Sequence, residues 1–417
     1  MVKTSTRLVH RNLQDSVTAG LSDTPVVMLT GPRQSGKSTL AQELVRAGVL
    51  ASYTTLDDLV MLAAARVDPV RFVSERRGGV IDEVQRAPDL LLAIKATVDR
   101  DRRPGSYLLT GSADVLHLPT AAESLAGRIE LLTLWPFSQS ELESRKDTFI
   151  DTVFDTERPA VQEERDVRAD VLRRAIRGGF PEAVARADAA RRGVFFDNLV
   201  ATVIEREVPL RSDVAGRVHL NTLLRLLAAR SMSITNLAEI SRGLELSSRT
   251  VTRYIALLEL VYLLVRIPAW SGSLGRRLVR HPKIALSDSG LMAYLAPFDE
   301  DRLQTDPVLT GGLLETFVAM ELRKSIGWSR SRPELLHYRS HLDSEVDLVL
   351  ELRSGKSVGI EVKASSTVRG EDFKGLETLR EALGRKFVLG IVLYTGRSTV
   401  SFGERLIAMP MTALWKL

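Results

Sequence analysis

Residues 26–45 read VVMLTGPRQSGKSTLAQELV: an apolar run, a turn with glycines at 31 and 36, then a stretch with helical spacing. Few folds accept that order. A wholly apolar strand feeding through a glycine turn into a helix is the repeating unit of a parallel sheet covered by helices. Gly31, Gly36, Lys37 and Ser38 also satisfy the spacing G-x-x-x-x-G-K-[ST]. The glycines let the backbone close around phosphate oxygens, while loop N–H groups and the helix start supply partial positive charge. The loop Gly31, Pro32, Arg33, Gln34, Ser35, Gly36, Lys37, Ser38 and Thr39 is therefore expected to bind ATP. Lys37 would reach the β and γ phosphates, and the Ser38 hydroxyl would ligate Mg²⁺.

Residues 20–140 repeat the alternation. PVVMLT, SYTTLDD, GGVIDEV, SYLLTGS and IELLTLW read as strands, and KSTLAQELVRAG, LLLAIKATVDRD and TAAESLAG have helical spacing. GVID ends in Asp82 and Glu83. Asp82 is expected to hold Mg²⁺ through water, and Glu83 to orient and activate the attacking water, which separates hydrolysis from mere binding. YLLTGS brings Thr110, Gly111 and Ser112 to a strand end as candidate γ-phosphate sensors. Arg128 precedes IELLT. An arginine supplied there to a neighbouring subunit adds ~10³- to 10⁵-fold in rate; a surface residue at a helix end is the plainer alternative.

From 141 to 230 the chain turns helical and charged, through ERDVRADVLRRAIRGG, GVFFDNLVATVIEREV and LNTLLRLLAARS, with GGFP at 178–181 breaking the first. The following ITNLAEISRGLELSSRTVTRYIALLELVYLLVRI has the layout of a winged helix-turn-helix. One helix carries Leu237, Ile240 and Leu244, a turn passes through 245–247, and Ser248 caps a second helix running through SSRTVTRYIALLELVYLL. That helix would present Arg249, Thr250 and Arg253 outward and Val251, Ile255 and Leu258 to the core. Such a helix reads DNA or contacts a protein. The densest basic run, GRRLVRHPK at 275–283, reads as a solvated face.

Near the C-terminus, EVDLVLEL and SVGIEVKA are joined by the turn RSGK, and FVLGIVLYT follows. Period two puts Glu361 and Lys363 on one strand face. A hairpin closed at RSGK places Asp347 opposite Glu361. Two carboxylates and a lysine in this pattern match the D…E-x-K centre of metal-dependent nucleases. Glu315, on the preceding helix, completes a metal set with Asp347 and Glu361, and Glu321 is a weaker candidate. A charged edge on an ordinary hairpin is the alternative. His337 and His341 read as surface or core residues.

GPRQSGKST, IDEVQRAP, LTGSA and SLAGRIELLTLWPFSQSE, with GGFPEA, HPKIALSDSGL, GGLLETFV and EVDLVLE…VGIEVKAS, resemble the AAA-type P-loop ATPases of bacteria and archaea. The resemblance is to those carrying a C-terminal domain of unknown function of the DUF4143 type. It implies an α/β fold: a P-loop NTPase parallel-sheet core over 1–145, a helical lid or linker over 146–230 and a winged-helix module over 231–300. A PD-(D/E)xK nuclease-like α+β domain of restriction-endonuclease type would fill 301–417. It also implies Lys37 and Ser38 as the phosphate pair, Asp82 and Glu83 as the metal and water pair, and Arg128 as the arginine finger. KIALSDSGL departs from the family, which shows an aromatic and a threonine around that aspartate.

No run approaches the ~20 apolar residues of a membrane helix; the longest, YIALLELVYLLVRI at 254–267, carries Glu259. With no cysteine, disulfides, thiolate metal sites and cysteine nucleophiles are excluded, and a cytoplasmic chain without a membrane partner is expected. A net charge of +5 permits nucleic-acid binding without requiring it. Three uses of the ATP stand side by side: a switch or motor on DNA or RNA, an ATP-gated metal-dependent nuclease, and a non-catalytic, toxin–antitoxin-like regulator bound to a protein partner. A homo-oligomer is expected.

Overall fold

The computed structural model describes residues 8–111, 126–156, 159, 167–206, 208, 214–272, 281–296, 306–340 and 344–417. Ser112, residues 120–125 of the expected helix, most of the basic run at 275–283 and His341 lie outside them. Two compact units form: Arg11–Pro136 with Leu260–Tyr262, and Phe137–Glu259 with Leu263–Leu417. Among the described residues no helix is long and apolar enough to cross a membrane.

The first unit is built on five parallel strands, β1 (Val26–Thr30), β2 (Tyr53–Thr55), β3 (Gly79–Asp82), β4 (Tyr107–Thr110) and β5 (Ile129–Thr133), in the order β2-β3-β4-β1-β5. These are the five runs expected to be strands. The alternation along β1 shows why an all-apolar sequence suits it. Val26 and Met28 enter one core with Ile81, Leu109, Phe72 and Ile94, while Val27 and Leu29 enter the opposite core with Leu40, Leu44, Val80 and Leu108. Successive side chains leave opposite faces, so a strand covered on both faces needs apolar residues throughout. Helices α1 (Gln14–Asp23) and α2 (Lys37–Arg46) supply Val17, Leu21, Leu40 and Leu44 to the second core. β1 sits between β4 and β5, and the crevice beyond its C-terminal end is where open α/β sheets bind ligands.

In the second unit, α3 (Val167–Arg177), α4 (Ala189–Arg206) and α5 (Val214–Ala229) precede a helix pair, α6 (Leu237–Gly243) and α7 (Ser248–Leu260). A two-stranded antiparallel ribbon follows, β6 (Leu264–Ile267) with β7 (Lys283–Leu286). The apolar run at 254–267 is therefore divided rather than helical throughout. Tyr262 takes φ 58°, the helix stops, and β-branched Val265 and Ile267 join the ribbon. α7 is capped by Ser247, whose hydroxyl accepts from the Thr250 N–H at 3.1 Å, not by Ser248; Glu245 at φ 54° turns the chain within the expected 245–247. Val251, Ile255 and Leu258 are buried, and Arg249 and Arg253 are exposed.

The GGFP and SDSG segments meet. The buried Asp288 carboxylate accepts from the Gly179 N–H at 2.8 Å and the Leu291 N–H at 3.0 Å, capping α8 (Ser289–Leu295). Gly178 sits at φ 71°, and a Cβ there would lie 2.2 Å from an Asp288 oxygen. Only glycine fits.

The C-terminal part starts with α9 (Pro307–Ile326). It continues as a mixed six-stranded sheet of β8 (Glu334–Arg339), β9 (Glu345–Glu351), β10 (Ser357–Lys363), β11 (Phe387–Tyr394), β12 (Val400–Gly403) and β13 (Leu406–Pro410). The order is β12-β13-β11-β10-β9-β8. β8, β9 and β10 form an antiparallel meander; α10 (Lys374–Leu383) then leads to β11, parallel to β10.

Candidate active site

The end of β1 places a phosphate loop with little freedom to be anything else. Gly31 has φ 135°, and a Cβ there would meet the Leu134 carbonyl oxygen at 2.3 Å; Gly36 has φ 100°. Both conformations exclude ordinary side chains. Gln34 also adopts a left-handed φ, 61°, with its side chain in solvent like that of Thr39. Pro32 is buried and Arg33 half-buried. The Lys37 ammonium is folded into the loop, donating to the Gly31 and Pro32 carbonyls at 2.9 and 2.8 Å. Arg11 braces the loop from behind through the Ser35 carbonyl at 2.7 Å and the Trp135 carbonyl at 2.6 Å. A lone arginine far upstream carried no sequence signal for this role. The Ser35 hydroxyl is buried and has no hydrogen-bond partner among the described residues. An orphaned donor inside a glycine loop beside a helix start fits a phosphate ligand.

Asp82 lies where the ends of β2, β3 and β4 converge on this loop. The Ser38 hydroxyl donates to both of its carboxylate oxygens at 3.1 Å. Tyr53 donates to Oδ2 at 2.6 Å, and Thr110 donates to Oδ1. Burial, then the Asp82 carboxylate, push the Tyr53 hydroxyl up to about 12. A serine hydroxyl facing a carboxylate is the donor set that a P-loop uses for Mg²⁺, so these residues fit the ion. Tyr53 was missed in the sequence, where it read only as a β-former in SYTTLDD; parallel pairing of β2 with β3 sets it against Val80, two residues before Asp82, and its hydroxyl reaches the carboxylate from there. Glu83 follows at φ 61°, uncommon for a residue with a Cβ. Its backbone N–H donates to the Thr110 hydroxyl at 3.2 Å, and Gln85 donates to its carboxylate. Burial, then the neighbouring Asp82 charge, raise the Glu83 carboxyl above its ordinary range, against opposing pulls from Gln85 and Lys37.

Arg128 is placed differently. Its carbonyl accepts from Val26 at the start of β1, so it sits at the N-terminal edge of a parallel sheet whose phosphate loop leaves the other edge. Its guanidinium is paired with Asp99. Within one chain it does not join the phosphate site.

The second constellation forms as the pairing requires. Antiparallel register sets Ile360 against Leu348, and the Val362 N–H donates to Asp347 Oδ2 at 3.0 Å while the Asp347 N–H donates to Glu361 Oε2 at 3.4 Å. Lys363 Nζ lies 2.9 Å from Glu361 Oε1. Burial, then the Asp347 charge, raise the carboxyls of Glu361 and of Glu315 on α9.

Two expectations are corrected here. Glu321 is committed elsewhere, accepting from the Gln139 N–H and from Lys324, both at 2.7 Å. Glu315, Asp347 and Glu361 are gathered at one place, with Glu315 and Asp347 both beside Lys283, and no group of three His, Cys, Asp or Glu side chains among the described residues is arranged to hold an ion. Lys283 stands among them instead. It is 2% exposed, far from the solvated face its basic run suggested, with Nζ 2.7 Å from Glu345, 3.3 Å from Asp347 and 3.7 Å from Glu315. Burial alone would lower it, but Asp347, Glu315 and Glu345 hold it protonated above the ordinary lysine range. His337 is a buried β8 residue.

Three sequence families match in succession: an AAA domain over 23–143, a domain of unknown function (DUF8612) over 168–302, and a domain of unknown function (DUF4143) over 310–414. Uncharacterized proteins Rv2008c of Mycobacterium tuberculosis and Mb2031c of Mycobacterium bovis are each 32% identical over 351 residues, covering 82% of this chain and 71% of the relative. Among solved structures, the Walker-type ATPase PABY2304 of Pyrococcus abyssi aligns with a TM-score of 0.41 and 14% identity, over 69% of this chain and 96% of that one. The chain belongs to the ATP-binding AAA-type ATPases that carry a C-terminal DUF4143 domain.

Proposed function

We propose that the AAA domain hydrolyses ATP with Mg²⁺ and that the cycle serves as a switch or motor on nucleic acid. The observation that carries the hydrolysis is the joint between the phosphate loop and the acidic strand end, Ser38 against both oxygens of Asp82 with Glu83 adjoining. Lys37 and the loop N–H groups hold the β and γ phosphates. Ser38 and Asp82 hold the ion, which when bound offsets the charge that builds on the phosphate oxygens. Glu83, its carboxyl raised by burial, orients the attacking water and accepts its proton.

The nucleic-acid half rests on the middle module. A preceding helix, the pair α6–α7 and the ribbon β6–β7 follow the order of a winged helix, and Arg249 and Arg253 lie exposed on the second helix of the pair. Phosphate contacts of this kind give sequence-independent affinity. The order α9–β8–β9–β10–α10–β11 supports a nuclease-like C-terminal fold, in which Lys283 among the carboxylates favours binding over cleavage.

The test is steady-state ATP hydrolysis by the full chain with and without mixed DNA and RNA. Stimulation by either supports the reading. A slow rate that neither changes removes the nucleic-acid half and leaves the regulator with a protein partner. Cleavage of the added nucleic acid, lost in Asp347→Ala, replaces it with the ATP-gated nuclease.

A further inference from the structure

Lys283 is a buried cation for which the reaction at the phosphate loop has no use. Its backbone leaves little room to swing. Lys283 pairs with Ile267 across the ribbon and bridges to Ile234 on the other side, while the Met232 N–H donates to the Ile284 carbonyl at 2.8 Å. The adjoining His281 carbonyl contacts His337 of β8 at 3.2 Å, and the Trp270 indole donates to Glu351 of β9 at 2.9 Å. The module that carries Lys283 is thus tied to the sheet that carries Asp347 and Glu361.

A buried ammonium persists only where charge and hydrogen bonds offset its lost hydration. Glu345, Asp347 and Glu315 do so, at 2.7, 3.3 and 3.7 Å. The same oxygens do not serve a dication at the same time. A divalent ion sits ~2.0–2.6 Å from its oxygen ligands, and one placed on Asp347 Oδ1 would lie beside the ammonium, two like charges in a poorly hydrated space. Lys363 pairs with Glu361 and Asp372, at 2.9 and 4.0 Å.

We propose that Lys283 is the resident cation of the C-terminal centre: its ammonium, delivered by the ribbon of the preceding module, takes the charge position that a metal-dependent nuclease gives to a divalent ion. Asp347 and Glu315 are then ion-paired groups that join two domains, and the centre accepts a divalent ion only once Lys283 is removed. The assignment does not depend on ATP hydrolysis, and its readout is metal binding, so its failure is distinct from failure of the ATPase reading.

The experiment is an Mn²⁺ titration of the full nucleotide-free chain, followed by the spin resonance of free Mn²⁺. All proteins carry Asp82→Asn, to remove the carboxylate of the phosphate site. The parent is compared with Asp347→Asn, Lys283→Gln, Lys283→Arg and Lys283→Gln/Asp347→Asn. Lys283→Gln is expected to gain one Mn²⁺ per chain, ~10-fold or more tighter than any site of the parent, a difference of about 1.4 kcal/mol. The gain should vanish in Lys283→Gln/Asp347→Asn and be absent in Lys283→Arg. A parent site abolished by Asp347→Asn would overturn the assignment, as would a folded Lys283→Gln protein with no added site. If Lys283→Gln does not fold, the parent and Asp347→Asn decide: identical titrations uphold the assignment and a lost site overturns it.

Discussion

Asp82 gathers three hydroxyl donors, from Ser38, Tyr53 and Thr110, and each comes from a different strand end or helix start. That convergence fixes the direction in which its oxygens face. Tyr53→Phe removes one donor and no carbon framework. It should cost about 1 kcal/mol of positioning, roughly fivefold in kcat, with nucleotide affinity little changed; equal kcat would show that Tyr53 does not orient Asp82. Glu83 acts as a base only when ionised. Because its carboxyl is raised, kcat should fall with decreasing pH at a higher pH than an ordinary glutamate, ~4.3, would give. The pH–rate profile checks this, and an acid limb at the ordinary position would contradict it. The placing of Lys37 in the loop and of Ser38 against Asp82 was legible in the sequence because the loop and strand-end spacings set it. Tyr53 and Arg11 were not, since only the pairing of β2 with β3 and the return of the chain at Trp135 bring them in.

At the scale of elements, the parallel core could be read because strands covered on both faces are apolar without interruption. The C-terminal sheet was read in part. β9, β10 and β11 announce themselves, whereas β8 carries His337 into the core and β12 is exposed along its length. Neither has the pattern of a buried strand. Short-range signals also failed at the ribbon, where Lys283 reads as one more base in a basic run and becomes legible only when β7 is laid against the carboxylates. Helix packing around Asp147 gives a separate prediction. Its carboxylate accepts from Ser140 at 2.6 Å and Ser325 at 2.8 Å, yet burial raises it from 3.8 to about 6. Between those values the folded chain holds a proton that the unfolded chain has released. Stability therefore falls as pH rises through that window, by about 3 kcal/mol on this group alone. Denaturant titrations across pH should show the slope, and Asp147→Asn should flatten it; an unchanged slope would contradict the assignment.

At the scale of the whole molecule, an AAA domain is followed by a helical and ribbon module welded to a mixed sheet. Arg128, at the sheet edge away from its own phosphate loop, has a use at that loop only in a neighbouring copy. Mixtures of Lys37→Ala and Arg128→Ala chains should then recover hydrolysis that neither variant shows alone, through oligomers that pair an intact loop with an intact arginine. No recovery at any ratio would make Arg128 the partner of Asp99 and nothing more. The most direct measurement is nucleotide binding and steady-state turnover in Glu83→Gln beside the unaltered chain and Lys37→Ala. The expected result is ATP bound by Glu83→Gln about as tightly as by the unaltered chain, turnover reduced ~10²- to 10⁴-fold, and no tight binding in Lys37→Ala. Turnover by Glu83→Gln at the unaltered rate would contradict the account of the site.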